Sequence, residues 1–170
     1  MSPPALTSGR ARAVLAIEFQ RTWTDTGLFH RLIRRQLHAR DVVDNAQMLV
    51  AAARAHGVPV VHAPLRIDPA DAAVRQMPRV PRVARQFRVG TAGVEYTPGL
   101  FAPGDLEVVG RAAFDATVGT DLTEILGTTG AELVDVIGFT TDHCVAETIE
   151  SLVAAGFSCR VVADCTATRT

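Results

Sequence analysis

Lysine is absent. All 17 basic residues of this 170-residue chain are arginine. No chemistry that needs an ε-amino group is open to it, and wherever a site calls for a fixed cation an arginine must stand in. Cysteine is scarce: three residues, an odd number, with no C-x-x-C spacing. That excludes a disulfide framework or a zinc knuckle, and Cys159 and Cys165 are too far apart along one extended segment to bridge. A reducing, cytoplasmic setting is the expectation. No apolar run approaches the roughly 20 residues of a membrane span, and residues 1–13 carry no hydrophobic signal region, so no membrane partner is expected. A net charge of −1 gives no global attraction to nucleic acid. Missing too are G-x-S-x-G, G-x-G-x-x-G after a strand, and G-x-x-x-x-G-K-[ST]. Serine-hydrolase, dinucleotide and P-loop readings therefore lack their motifs.

What is present is apolar punctuation. With 48% hydrophobic residues, the chain can bury one full core as a single domain, residues 1–170. Residues 1–11 read as a loose terminus. Residues 13–17 form a short unbroken apolar run, the mark of a strand buried on both faces, and it ends on Glu18. Residues 24–39 read as a mixed loop with a basic patch at Arg31, Arg34 and Arg35. Residues 41–56 predict a helix with Val43, Ala46, Leu49, Val50 and Ala53 on one side and Gly57 closing it. Residues 58–63 predict a second buried strand, giving a right-handed parallel crossover. Between 64 and 104 the periodicity dissolves among prolines and arginines (Arg75, Arg79, Arg82, Arg85, Arg88). Such a stretch is a lid or subunit contact whose arginines face an anionic substrate, or simply a solvated face or oligomer contact.

A third strand is expected at 106–109 with Arg111 just past it, a short helix over 120–126, and a fifth strand at 158–163 ending on Asp164. The fold class is α/β, three layers around a mainly parallel sheet of five or six strands in a Rossmann-type topology. A parallel sheet needs cover on both faces. The short distance from the last strand to residue 170 points to a covering helix outside this sequence or to a partner subunit, so a homo-oligomer (dimer or tetramer) is expected.

The chain is organised around residues 134–156, a strand, a polar turn (140–143) and a helix opening at Cys144. The helix rests on Val145, Ile149, Leu152 and Val153, with Asp142 or Thr141 as the cap. A thiol at the positive end of a helix has its pKa lowered toward a usable thiolate, and free N–H groups there can hold an oxyanion. The plain alternative is that Cys144 is core packing, as most buried cysteines are. Parallel strands present their carboxyl ends to one edge, which brings Glu18, Arg111 and Cys144 together. A thiol, a carboxylate to take its proton and a cation that cannot lose one suit nucleophilic catalysis. The alternative for Glu18 is a side chain reaching solvent where its strand exits. Gln20 and Trp23 after Glu18, Phe114 after Arg111, and His143 beside Cys144 are the candidate substrate contacts. Adjacent residues on a helix point about 100° apart, so His143 belongs at the rim rather than in a Cys–His pair. His62 and Asp68 lack metal-ligand spacing, and neither metal nor cofactor is expected.

Three segments carry a family resemblance: AIEFQRTW (16–23), VVGRAAFDATVGTDL (108–122) and GFTTDHCVAETIESLVAAGF (138–157), the last with T-D-x-C-V. The chain resembles the isochorismatase-like cysteine hydrolases, which include nicotinamidases, N-carbamoylsarcosine amidohydrolases and isochorismatases. The resemblance implies a catalytic Cys144 with Glu18 and Arg111 in the places of the family's aspartate and lysine; the extra methylene of glutamate and the planar fork of arginine suit a re-spaced, bidentate ion pair. It implies a cis peptide at Phe139–Thr140 and an oxyanion hole from the N–H groups of Thr140 and Cys144. The nicotinamidase metal site needs Asp-x-His after the second strand, where this chain has His62-Ala63-Pro64. The implied activity is hydrolysis of a C–N bond in a small amide or ureide through a thioester. Two alternatives stand beside it: vinyl-ether hydrolysis with Glu18 as acid and no essential thiol, and a non-catalytic binding or assembly role with Glu18–Arg111 as a structural pair.

Overall fold

The computed structural model describes residues 10–25, 27–68, 70 and 87–169. Five strands, β1 (Arg12–Ile17), β2 (Val60–Ala63), β3 (Leu106–Glu107), β4 (Leu133–Phe139) and β5 (Ser158–Ala167), form one sheet in the order β3-β2-β1-β4-β5. Every pairing is parallel. Among the described residues five α-helices accompany them: α1 (Arg21–Thr24), α2 (Leu28–Ala39), α3 (Val42–Ala55), α4 (Leu122–Thr128) and α5 (Ala146–Ala154).

The central strand shows why the layers form. Along β1, Val14 and Ala16 face a core shared with Phe29, Ile33 and Leu37 of α2 and Val42, Ala46 and Val50 of α3. Ala13, Leu15 and Ile17 face the opposite core, with Leu122 and Leu126 of α4 and Val145 and Leu152 next to or on α5. A strand covered on both sides has no polar face to alternate with, hence its unbroken apolar run. The chain winds from β1 outward through β2 to β3, then crosses back to lay β4 on the other flank of β1. That reversal makes the gap between the carboxyl ends of β1 and β4 the topological switch point, where open α/β sheets hold ligands.

The observed elements depart from expectation in four places. Residues 28–39 are helix, not loop; Phe29, Ile33 and Leu37, at i, i+4 and i+8, are its buried stripe. Val153 projects outward from α5, and Thr148 takes a buried position instead. The last strand continues past Asp164 to Ala167. Its pairing with β4 is irregular between Val136 and Gly138 and resumes at Gly138–Thr166, so Asp164 sits in an interruption and not at an end. The third strand is confined to Leu106–Glu107. In the arginine-rich stretch, Arg75, Arg79, Arg82 and Arg85 lie outside the described residues. Arg88 is described, and forms a bridge with Ile67. None of the described helices is long and apolar enough to cross a membrane.

Gly138 is required by close packing. It pairs with Ile17 across the switch point at φ +122, and a Cβ there would lie 1.9 Å from the Ile17 carbonyl oxygen. Neither backbone can yield without separating the two strands that carry the site. Gly138→Ala is therefore expected to destabilise the fold by about 4 kcal/mol or more, measured as loss of the urea midpoint or of soluble protein.

Candidate active site

Glu18 is the first residue after β1. It adopts a left-handed conformation, φ +54, which costs a non-glycine residue of order 1 kcal/mol. Its N–H still donates to Ala63 O at 3.2 Å, so the ends of β1 and β2 stay tied while the chain turns. The side chain is 1% exposed. Trp23, on α1, donates its indole N–H to Oε2 at 2.9 Å.

Arg111 is 3% exposed, and Nη2 lies 2.7 Å from Glu18 Oε1. The guanidinium also donates to main-chain oxygens: Nε to Ala113 at 3.1 Å, Nη1 to Ala63 at 2.9 Å and Nη2 to Phe114 at 2.6 Å. The ion pair is thus single-pronged, not the bidentate fork expected, because three carbonyls claim the other donors. Glu18 Oε1 is held by charge and has no aligned hydrogen bond. Burial opposes the charge on Arg111, but Glu18 and Cys144 beside it raise its pKa above the ordinary guanidinium value.

Cys144 does not open a regular helix. Residues Thr141–Val145 form a π turn before α5, with no side-chain cap. The N–H groups of His143 and Val145 both donate to Thr140 O, at 3.2 Å each. The Cys144 amide between them is stepped over, whereas a regular α turn would send it to that same carbonyl. The Phe139–Thr140 peptide is cis. Asp142 takes bonds from Thr168 and His143. Burial alone would raise its pKa, but these bonds outweigh burial and hold the carboxyl at about 2.

The electrostatics of the thiol reverse the expectation from its place near a helix start. Burial first, and the adjacent Glu18 carboxylate second, push the Cys144 pKa well above that of a free thiol; Arg111 pulls it down without offsetting them. The resting site therefore holds a neutral thiol beside an ion pair.

Glu18 and Cys144 lie on the floor of a pocket of about 260 Å³; Arg111 is paired with Glu18 but is not part of the lining. Its walls are Trp23, Phe29, Leu32, Leu65, Phe87 and Phe114, with Thr140 and Cys144 at the base and His143 and Arg169 among the polar lining. Trp23, Phe114 and His143 thus line the pocket. His143 is partly exposed and meets the Phe114 ring edge to face, centroids 5.9 Å apart. Gln20 does not line it: the amide donates to Leu65 O (3.0 Å) and Val94 O (2.9 Å) and accepts from Leu65 N–H (2.8 Å). Its role is to bind the segment after β2 to the turn after β1. Sequence reasoning missed Phe29 and Leu32, whose helix was read as a loop, and Arg169, beyond the point where β5 was expected to stop. His62 is fully buried, with Nε2 3.0 Å from Asp105 Oδ2 and its ring against Tyr96 and Phe101. Among the described residues no three His, Cys, Asp or Glu side chains are grouped to hold a metal.

A doubly wound α/β sheet with a cysteine, a carboxylate and a guanidinium converging at its switch point defines the class. The chain matches the isochorismatase domain over residues 12–170, and it belongs to that family. It is 34% identical over 87 residues to the nicotinamidase/pyrazinamidase of Mycobacterium tuberculosis, a match spanning 46% of this chain and 47% of that protein. The match spans about half the length of that relative. Solved structures share the fold at lower identity. A cysteine hydrolase from Pseudomonas syringae superposes with TM-score 0.80 at 20% identity, over 96% of this chain and 79% of that one. An N-carbamoylsarcosine amidase from Thermoplasma acidophilum gives 0.72 at 23% identity, over 93% and 84%.

Two outcomes follow from the charges. Glu18 raises the thiol pKa, so removing its charge lowers it, and at pH 7 a larger fraction of Cys144 is thiolate. Iodoacetamide should therefore alkylate Cys144 faster in Glu18→Gln than in the parent protein. Arg111→Met leaves a buried carboxylate uncompensated and should cost about 3–5 kcal/mol. Adding Glu18→Gln should restore much of it, read as a coupling energy in a urea double-mutant cycle.

Proposed function

We propose that this protein is a cysteine-dependent hydrolase that cleaves a C–N bond in a small amide or ureide through a thioester. The observation that carries the reading is the pocket floor shared by Cys144 and Glu18, with Arg111 paired to that glutamate at 2.7 Å. The family and the amidases among its relatives favour the same chemistry.

Because the resting thiol is neutral, its proton leaves as the bond forms. Sulfur attacks the carbonyl carbon, the proton passes to Glu18, and the carbonyl pair moves onto oxygen. The N–H groups of Thr140 and Cys144 receive that oxyanion; the amide bypassed by the π turn is one of the two donors. Glu18 then returns the proton to the departing nitrogen, releasing ammonia or an amine and leaving the thioester. Water gives a proton to Glu18 as it attacks, and collapse expels the sulfur, which regains the proton. Arg111 keeps its charge throughout and anchors the carboxylate.

A volume near 260 Å³ with aromatic and leucine walls suits a small, flat or apolar acyl group. Arg169 offers a counter-charge to an anionic substituent. A homo-oligomer remains part of the proposal.

Ammonia release should be measured across a panel of small aromatic and aliphatic amides and ureides, with and without a carboxylate. Cys144→Ala should lose about a thousandfold or more in kcat. Turnover retained by Cys144→Ala would overturn the thioester route and leave acid catalysis by Glu18 in its place.

A further inference from the structure

Deepening that reading, and resting on it, we infer that Trp23 is the positioning residue of the proton-transfer step. Its indole N–H holds Oε2 of Glu18 so that Oε1 alone exchanges the proton with Cys144. The two carboxylate oxygens stand in different surroundings. Oε2 accepts a buried hydrogen bond at 2.9 Å from a group that can only donate. Oε1 lies 2.7 Å from Arg111 Nη2 but has no aligned donor, and Nη2 also reaches Phe114 O at 2.6 Å. One oxygen is pinned by a neutral donor; the other is balanced by charge and has no aligned hydrogen bond.

A glutamate needs such a restraint. Its extra torsion gives it rotamers that must be frozen before it can serve as a fixed base. The indole itself cannot turn. Trp23 is 6% exposed and wedged between Phe29 (5.1 Å between centroids), Phe87 (5.9 Å) and Phe139 (6.0 Å). Phe139 is the last residue of β4, just before the π turn that carries Cys144. One ring system therefore locates both the base and the nucleophile. In the step itself, the S–H bond breaks as the S–C bond forms. The proton goes to Oε1 and from there to the leaving nitrogen, while Oε2 stays bonded to the indole.

Trp23 is the single tryptophan of the chain, so growth of a tryptophan auxotroph on β-(3-benzothienyl)alanine replaces this N–H with sulfur and nothing else. Freed from the indole, the carboxylate moves off the thiol. Iodoacetamide alkylation of Cys144 at pH 7 should then rise severalfold, toward the Glu18→Gln rate, and kcat should fall about ten- to a hundredfold with KM nearly unchanged. Protein containing 5-fluorotryptophan, which keeps the N–H, should restore both. In protein labelled with ¹⁵N-tryptophan the one indole N–H resonance should shift upfield in Glu18→Gln. An unmoved resonance, or an alkylation rate untouched by the sulfur analogue, overturns the inference. The alkylation and resonance measurements need no substrate, so they judge Trp23 separately from the hydrolase reading, which falls if the parent protein releases no ammonia.

Discussion

A buried ion pair at the switch point governs this structure. Glu18 and Arg111 are both almost wholly removed from solvent, 2.7 Å apart. A buried pair contributes little net stability, because desolvating two charges offsets most of their attraction. What it does is fix position. Arg111 is tied to the carbonyls of Ala63, Ala113 and Phe114, so the cation belongs to the main chain as much as to its own side chain. Glu18 is held from its other side by Trp23. The strand ends, the loop after β3 and helix α1 are thereby referred to one point.

Around that point the backbone is specialised. Glu18 occupies a left-handed conformation, Gly138 admits the Ile17 carbonyl where no side chain fits, and the π turn withdraws the Cys144 amide from helical bonding. Gln20 binds the segment after β2 to the turn after β1. These features lie within a few residues of the carboxyl ends of β1 and β4, and local regularity is relinquished there.

Much of this was legible in the sequence, for a physical reason. Strands buried on both faces must be apolar throughout, so β1, β2 and β4 stand out, and parallel topology then forces the residues that follow them to one edge. Glu18 and Cys144 could be brought together on that ground; Arg111 joined them through the strand expected at 106–109, of which only Leu106–Glu107 forms. Helix α2 was hidden because its three arginines mask the Phe29, Ile33, Leu37 stripe, and two of the six wall residues, Phe29 and Leu32, were hidden with it. The extension of β5 was hidden by Asp164, a polar residue inside an interrupted strand. The sign of the thiol pKa was not legible at all: helix position argues one way, and the depth of burial and the nearby carboxylate, visible only in three dimensions, argue the other. Gln20 illustrates a further limit, since a polar residue beside a site can serve the scaffold as readily as a ligand.

The choice of arginine carries one more consequence. A guanidinium bound to three carbonyls does not titrate, so guanidinium, carboxylate and thiol together sum to zero while a single mobile proton stays among them. Passing that proton from sulfur to carboxylate relocates charge within the cavity without creating any. A guest, neutral or anionic, thus meets a carboxylate already balanced by the guanidinium paired with it, and because both charges are almost wholly buried, ionic strength has little purchase on them.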